Sequence, residues 1–392
     1  MPKYPSSTGA VLCVLVATGM VIGEWPAEAR PTMSLLERMR TARSAVATAT
    51  VQPKWCTARV RVGKRWRMRG SNCSIAAAAV GIPQQGTWMI VAFPWGMDTF
   101  HVDRFRFVRL GQRKGINTEY LVLRRTTNDT YVSMGDAVLA WKVPVRQQNG
   151  TWINVVYTPY ASALHRPAMV AEGRRLLGSV IHDARSQLDR RKVYSVAGDG
   201  RWVTSVVPAA TTETIAIVEK MDHYEFSLCQ QRARAEERAR CLRRLMEVPY
   251  VVLAANGPDA YRYALSRSRA RGFMQFMPGT WAMVQRAYPE ARLPPFMEGA
   301  SDQTTAAMAA ILLNDYNTQY LQDAHRRTLG PTPESFTLYA AAAYNGNPKW
   351  AIQAIGRCGA HWMDRRRCGI LRSETAVYME KVRVVWPKIS TI

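Results

Sequence analysis

The sequence is poor in acid and in histidine. It has 29 Asp and Glu against 53 Lys and Arg, with 6 His, for a formal charge of +24. The few histidines are not paired beside the cysteines, whose spacings fit no zinc pattern, so no metal centre is expected. No long uncharged apolar run follows the N-terminal segment, which argues against a chain that crosses a membrane repeatedly. No internal repeat or low-complexity tract is present, which argues against a solenoid or a disordered polymer. What is there is an ordinary globular share of apolar residues, 47%, in a length sufficient for two domains.

The N-terminus carries Lys3, an apolar run over residues 10–23, and Ala27-Glu28-Ala29. This order of basic region, apolar core and A-x-A site predicts a secretory signal peptide over 1–29. The rival reading is an N-terminal membrane anchor, for which the run is short. The large residue Leu12 before Cys13 argues against lipidation. Cys56, Cys73, Cys229, Cys241, Cys358 and Cys368 then remain. An even number in an exported chain predicts disulfides, most simply between sequence neighbours. Export also changes the meaning of the charge. An intracellular protein this basic would first be read as binding nucleic acid. In the periplasm or on the extracellular envelope face, the partners in reach are anionic wall polymers, peptide carboxylates and lipid headgroups. Arg outnumbers Lys, so part of the excess is equally a mark of genome composition.

Residues 53–157 alternate apolar and charged positions in short runs. These are Val60 to Met68, 87–93, 100–110, 119–123, 131–141 and 151–157, separated by Gly, Asn and Asp. They predict a basic β-rich module over 30–160, preceded by a short helix or linker at 33–51. No catalytic constellation stands in it. From 161 the pattern changes to helical periodicity, beginning with Met169, Gly173, Leu177, Ile181, Ala184 and Leu188. A brief extended piece is expected at 201–207. Helices are expected at 212–221, 228–246, 280–287, 304–322 and 337–355. The fold class is therefore α+β, an N-terminal β-rich module followed by an all-α domain over 161–392.

Three phrases carry the chemistry. Residues 271–280 read RGFMQFMPGT, 340–350 read AAAAYNGNPKW, and 374–382 read ETAVYMEKV. In their order and helical setting they resemble the lytic transglycosylases of the soluble-lytic-transglycosylase and goose-type-lysozyme kind, over roughly residues 208–386. The resemblance implies a lysozyme-like fold and cleavage of the β-1,4 bond between MurNAc and GlcNAc in peptidoglycan. The cleavage would be non-hydrolytic, leave 1,6-anhydro-MurNAc ends and need no cofactor. It further implies that Ser266, Met274, Gln275, Tyr344, Asn345, Glu374 and Tyr378 contact the glycan. Two departures stand out. Asn347 replaces a glycine of the family's tyrosine phrase, and a basic loop at 356–369, with Cys358 and Cys368, precedes the last motif.

The acid is displaced as well. At the family's usual distance before Gly272 stands Gly257, with Asp259 beside it and no glutamate. One reading puts the acid at Glu219, closing the apolar run Ile215-Ala216-Ile217-Val218, with an insertion at about 223–260 that holds Cys229 and Cys241. A second makes Asp259 the acid. Its side chain is shorter by a methylene, roughly 1.5 Å, enough to cost ~100-fold in rate. A third leaves a groove that binds peptidoglycan without cutting it.

Overall fold

The computed structural model describes residues 34–49, 54–62, 65–73, 75–85, 88–94, 98–110, 115–146, 150–198, 200–266 and 268–390, without the side chains of 54–75, 94, 115 and 146. The N-terminal signal segment and the expected Cys56–Cys73 bridge lie outside that description. Two units divide between His165 and Arg166, a few residues beyond the change in sequence texture at 161. Among the described residues, no helix is long and apolar enough to cross a membrane.

The first unit opens with α1 (Leu35–Thr48). Its start is fixed by a capping box. Ser34 Oγ accepts the Glu37 N–H at 3.3 Å, and the Glu37 carboxylate accepts the Ser34 N–H at 2.7 Å. Among the described residues, ten antiparallel strands follow: β1 (Lys54–Val62), β2 (Arg65–Cys73), β3 (Ile75–Gly81), β4 (Met89–Pro94), β5 (Thr99–Val102), β6 (Phe105–Leu110), β7 (Glu119–Arg125), β8 (Tyr131–Val132), β9 (Ala137–Arg146) and β10 (Trp152–Tyr157). They form the hairpin β1-β2 and two four-stranded sheets, β10-β9-β3-β4 and β5-β6-β7-β8. Phe93, Phe100, Phe107 and Trp141 join the two sheets, with ring centroids 4.6 to 6.3 Å apart. Along β6, Phe105 and Phe107 are buried while Arg106 and Val108 are partly exposed, the period-two pattern of a half-buried strand.

Three expectations in this unit need correction. Residues 100–110 are not one strand but a hairpin that turns at Asp103, where φ is 49°. Residues 131–141 likewise divide between β8 and β9, with Gly135 at φ 81° in the turn between them. The central strand β3, IAAAAVG, was missed because alanine is a poor strand signal. Its Ala76 to Ala79 are nearly inaccessible, at most 2% exposed, and α1 packs on β3 and β9. Small side chains are what let a helix lie close on that face.

The second unit is helical: α2 (Pro167–Arg190), α3 (Val203–Val206), α4 (Ala209–Lys220), α5 (His223–Gln230), α6 (Ala235–Asn256), α7 (Pro278–Ala287), α8 (Phe296–Gly299), α9 (Gln303–Thr318), α10 (Asp323–Leu329), α11 (Pro333–Gly346), α12 (Pro348–Cys358) and α13 (Ser373–Ile389). The extended piece expected at 201–207 shrinks to a bridge between Tyr194 and Trp202, after which α3 begins. The helix expected at 228–246 is a hairpin of α5 and α6, closed by a disulfide between Cys229 and Cys241 with Cα atoms 5.4 Å apart. The helix expected at 337–355 breaks at Asn347, whose φ of 99° ends α11 and whose side chain caps α12.

Helices α4 and α11 form the centre. In α4, Ile215, Ala216, Ile217 and Val218 are all 0% exposed. Each buried Ile or Val contributes about 1.5–3 kcal/mol. Ala340 to Ala343 of α11 are at most 4% exposed, and α4, α9, α12 and α13 pack around them. A second disulfide, Cys358–Cys368, closes the loop after α12.

Candidate functional site

Glu219 stands in the last turn of α4, where the apolar run ends. Three tethers converge there. Lys220 Nζ donates to the Gly272 carbonyl at 2.8 Å. Tyr344 of α11 donates its hydroxyl to the Met274 carbonyl at 2.7 Å. Lys381 of α13 donates to the Met221 carbonyl at 2.6 Å. The turn at 272–275 and the end of α4 are distant in sequence, but the Lys220 bond holds them side by side, while the other two tie the turn to α11 and the end of α4 to α13. The α5–α6 hairpin occupies the chain between them.

The turn itself is tight. Arg271 and Phe276 exchange backbone hydrogen bonds of 2.9 and 3.1 Å, and Gly272 and Gln275 both have positive φ, 74° and 51°. A Cβ at Gly272 would fall on the backbone carbonyl of Ala300, so glycine is required here by space as well as by conformation. Beneath the turn, Phe276 meets Tyr344 edge-on at 5.9 Å. Lys220 lies over the rings of Tyr261 and Phe273, at 5.0 and 6.0 Å. At the other end of the site, Gly346 brings α11 against the start of α13. A Cβ there would sit 2.5 Å from Thr375 Oγ1.

A cavity of about 560 Å³ opens at this junction. Helix α4 contributes Val218 and Glu219, and α5 contributes His223. Asn345 comes from α11 and Arg365 from the disulfide-closed loop. Ser373, Glu374, Val377, Tyr378 and Lys381 lie along α13. Asn345 Oδ1 and the Tyr378 hydroxyl are buried without a hydrogen bond of good geometry in the protein. Buried polar atoms left this way at a cavity wall are positioned to meet a polar ligand.

The electrostatics centre on Glu219. Burial raises its pKa above the ordinary 4.5. Lys220, the nearby Tyr378 hydroxyl and Lys381 oppose that rise, and the charge of Glu374 adds to it. Burial likewise pushes Lys220 down to about 7 against the pull of Glu219. Tyr344 and Tyr378 are both driven well above 10 by burial and by the Glu219 charge, so they remain neutral hydroxyls. A second carboxyl of α4, Glu213, is also raised by burial. It accepts the Tyr250 hydroxyl at 3.0 Å and does not line the cavity.

Of the residues expected from sequence, Glu219, Asn345, Glu374 and Tyr378 share the cavity, and Tyr344 is close enough to feel the Glu219 charge. The expectation that Met274 and Gln275 line a groove does not match this geometry. The Met274 side chain is 0% exposed and only its carbonyl is used, by Tyr344. Gln275 folds back to donate to Gly272 O at 2.8 Å. Ser266 Oγ accepts the Ala270 N–H at 2.9 Å and shapes the loop before the turn. Asp259 lies in the short 3₁₀ turn after α6, 3.7 Å from Arg262. Neither Ser266 nor Asp259 lines the cavity.

Lys220, His223, Arg365 and Lys381 were missed. The signal for Lys381 was present, because it lies three positions after Tyr378 and seven after Glu374, on one helical face. Arg365 and His223 had no such signal, since only the folded loop and α5 bring them in. Compared with known proteins, the chain matches no family model, no curated protein and no solved structure.

Proposed function

We propose that the helical unit is a lytic transglycosylase acting on peptidoglycan glycan strands in the cell envelope, with Glu219 as its single acid and base. The observation that carries the reading is the Glu219 carboxyl, raised in pKa by burial, at a cavity it shares with the Tyr378 hydroxyl beside it and with Asn345. A carboxyl kept protonated toward neutral pH can donate to a glycosidic oxygen as the bond to carbon 1 breaks, while oxocarbenium character builds on the sugar. The resulting carboxylate then takes the proton from the muramoyl carbon-6 hydroxyl, whose oxygen closes on carbon 1. Glu219 ends protonated as it began, no water is consumed, and no second carboxylate has to act as nucleophile. The neutral Tyr378 hydroxyl supports the cycle by stabilising the carboxylate stage without supplying charge of its own.

The second reading is a groove that binds strands without cutting them. It is favoured by the two lysines, Lys220 and Lys381, whose charges hold the Glu219 pKa down. Digestion of purified sacculi separates the two. Release of muropeptides ending in 1,6-anhydro-MurNAc supports the transglycosylase. Reducing ends in their place would mean hydrolysis. Pelleting with sacculi and releasing nothing would mean a binding protein.

A further inference from the structure

The loop between α12 and α13 has a use that the acid chemistry leaves open. Cys358 and Cys368 close it, with Cα atoms 5.6 Å apart, and it is tied from within. Asp364 accepts the backbone N–H of Arg366 at 2.8 Å, and its own carbonyl accepts the Cys368 N–H at 2.8 Å. Arg367 pairs with Asp364 at 3.5 Å and reaches the His361 ring at 3.2 Å. Trp362, 4% exposed, anchors the loop to the unit. Arg365 stands apart from this network. It is exposed, it lines the cavity, and among the described residues it makes no ion pair and no hydrogen bond. The cavity's other cation, Lys381, is committed to the Met221 carbonyl. The lining thus has carboxylates on α4 and α13, Glu219 and Glu374, and a guanidinium on a braced loop.

We propose that Arg365 binds a carboxylate of the occupant of this cavity, so that the site selects anionic glycan strands over neutral ones; the proposal rests on the glycan reading above. A guanidinium offers a planar pair of donors that matches a carboxylate. The braced loop lowers the entropy lost in ordering it on binding. On a peptidoglycan strand the carboxylate has two sources: the stem peptides, or the lactyl group where a stem has been removed. A chitin oligosaccharide has neither.

The test uses the full chain carrying Glu219→Gln, so that bound strands persist. Binding is measured to three soluble tetrasaccharides: GlcNAc–MurNAc with stems, the same with stems removed, and chitotetraose. Arg365→Ala is expected to weaken the stem-bearing strand about tenfold, the scale of one partly exposed charge-assisted pair, and to leave chitotetraose unchanged. Arg365→Lys should recover part of the loss. If the stem-stripped strand keeps the dependence on Arg365, the lactyl carboxylate is the ligand; if it loses the dependence, the stem carboxylates are. Equal weakening for chitotetraose, or no weakening for any saccharide, overturns the proposal while the glycan reading stands. If none of the three binds even with Arg365 intact, the glycan reading falls and the proposal falls with it.

Discussion

Replacing Gly272 by alanine tests whether the turn must sit against the rest of the unit as described. Two costs add. At φ of 74° an alanine pays roughly 1–2 kcal/mol for a left-handed conformation. Its Cβ would also overlap the Ala300 carbonyl, which belongs to a fully buried residue at the end of α8. Relieving such an overlap by moving backbone costs about 1–3 kcal/mol. The sum is about 2–5 kcal/mol, or a fall of roughly 5–15 °C in Tm for a unit of this size. The movement has a local consequence as well. The Gly272 carbonyl receives Lys220 and the Met274 carbonyl receives Tyr344, so displacing the turn loosens both groups beside Glu219. Denaturant unfolding followed by far-UV circular dichroism gives the stability change. A loss below about 0.5 kcal/mol would refute the reasoning, because it would mean that the turn is neither left-handed nor pressed against Ala300.

Further outcomes follow from the same geometry. Cys229→Ser with Cys241→Ser should lower stability by about 2–4 kcal/mol, since the bridge closes a short span of 12 residues. Cleavage per folded molecule should persist, because Lys220 and Tyr344 hold the turn; loss of cleavage at full folding would contradict that assignment. Activity should fall as pH rises through the raised pKa of Glu219, and Tyr378→Phe should move that limb to higher pH by removing a hydroxyl that favours the carboxylate. A limb that moves to lower pH would refute the role of Tyr378. Stability follows the same linkage. The raised Glu219 contributes stability below 4.5 that is lost as pH rises through its folded value, so Glu219→Gln should flatten the pH dependence of unfolding there. Lys220, held down to about 7 against 10.5 when unfolded, acts in the opposite sense, and its contribution grows as pH rises between those values.

The class of each unit was legible because periodicity records burial: period two in FRFVRL, helical spacing from Met169 to Leu188. The parts that failed to show were those set by tertiary packing. An alanine run reads as weak strand and weak helix alike, and the same residue type fills buried β3 and buried α11. The break at Asn347 and the turn at Asp103 rest on positive φ at non-glycine residues, which sequence signals only faintly. In the site, Glu219 was legible from the apolar run before it, and the cysteine pair marked the hairpin that separates it from Gly272. Met274 and Gln275 were assigned to a groove by analogy of position, whereas packing draws the first side chain into the core and a local hydrogen bond turns the second back on Gly272. Arg365 gave no signal at all, because a loop's position is fixed by its bridge and by Trp362 rather than by any local pattern.

The central claim is that Glu219, and no other carboxyl, does the chemistry. The direct measurement is the rate of anhydro-muropeptide release from sacculi by the wild-type chain, Glu219→Gln and Asp259→Asn, each shown to be folded. The account predicts a loss of about 10²–10⁴-fold for Glu219→Gln, the usual worth of a general acid, and a rate close to wild type for Asp259→Asn. Release by Glu219→Gln at the wild-type rate, or its abolition by Asp259→Asn alone, would contradict it.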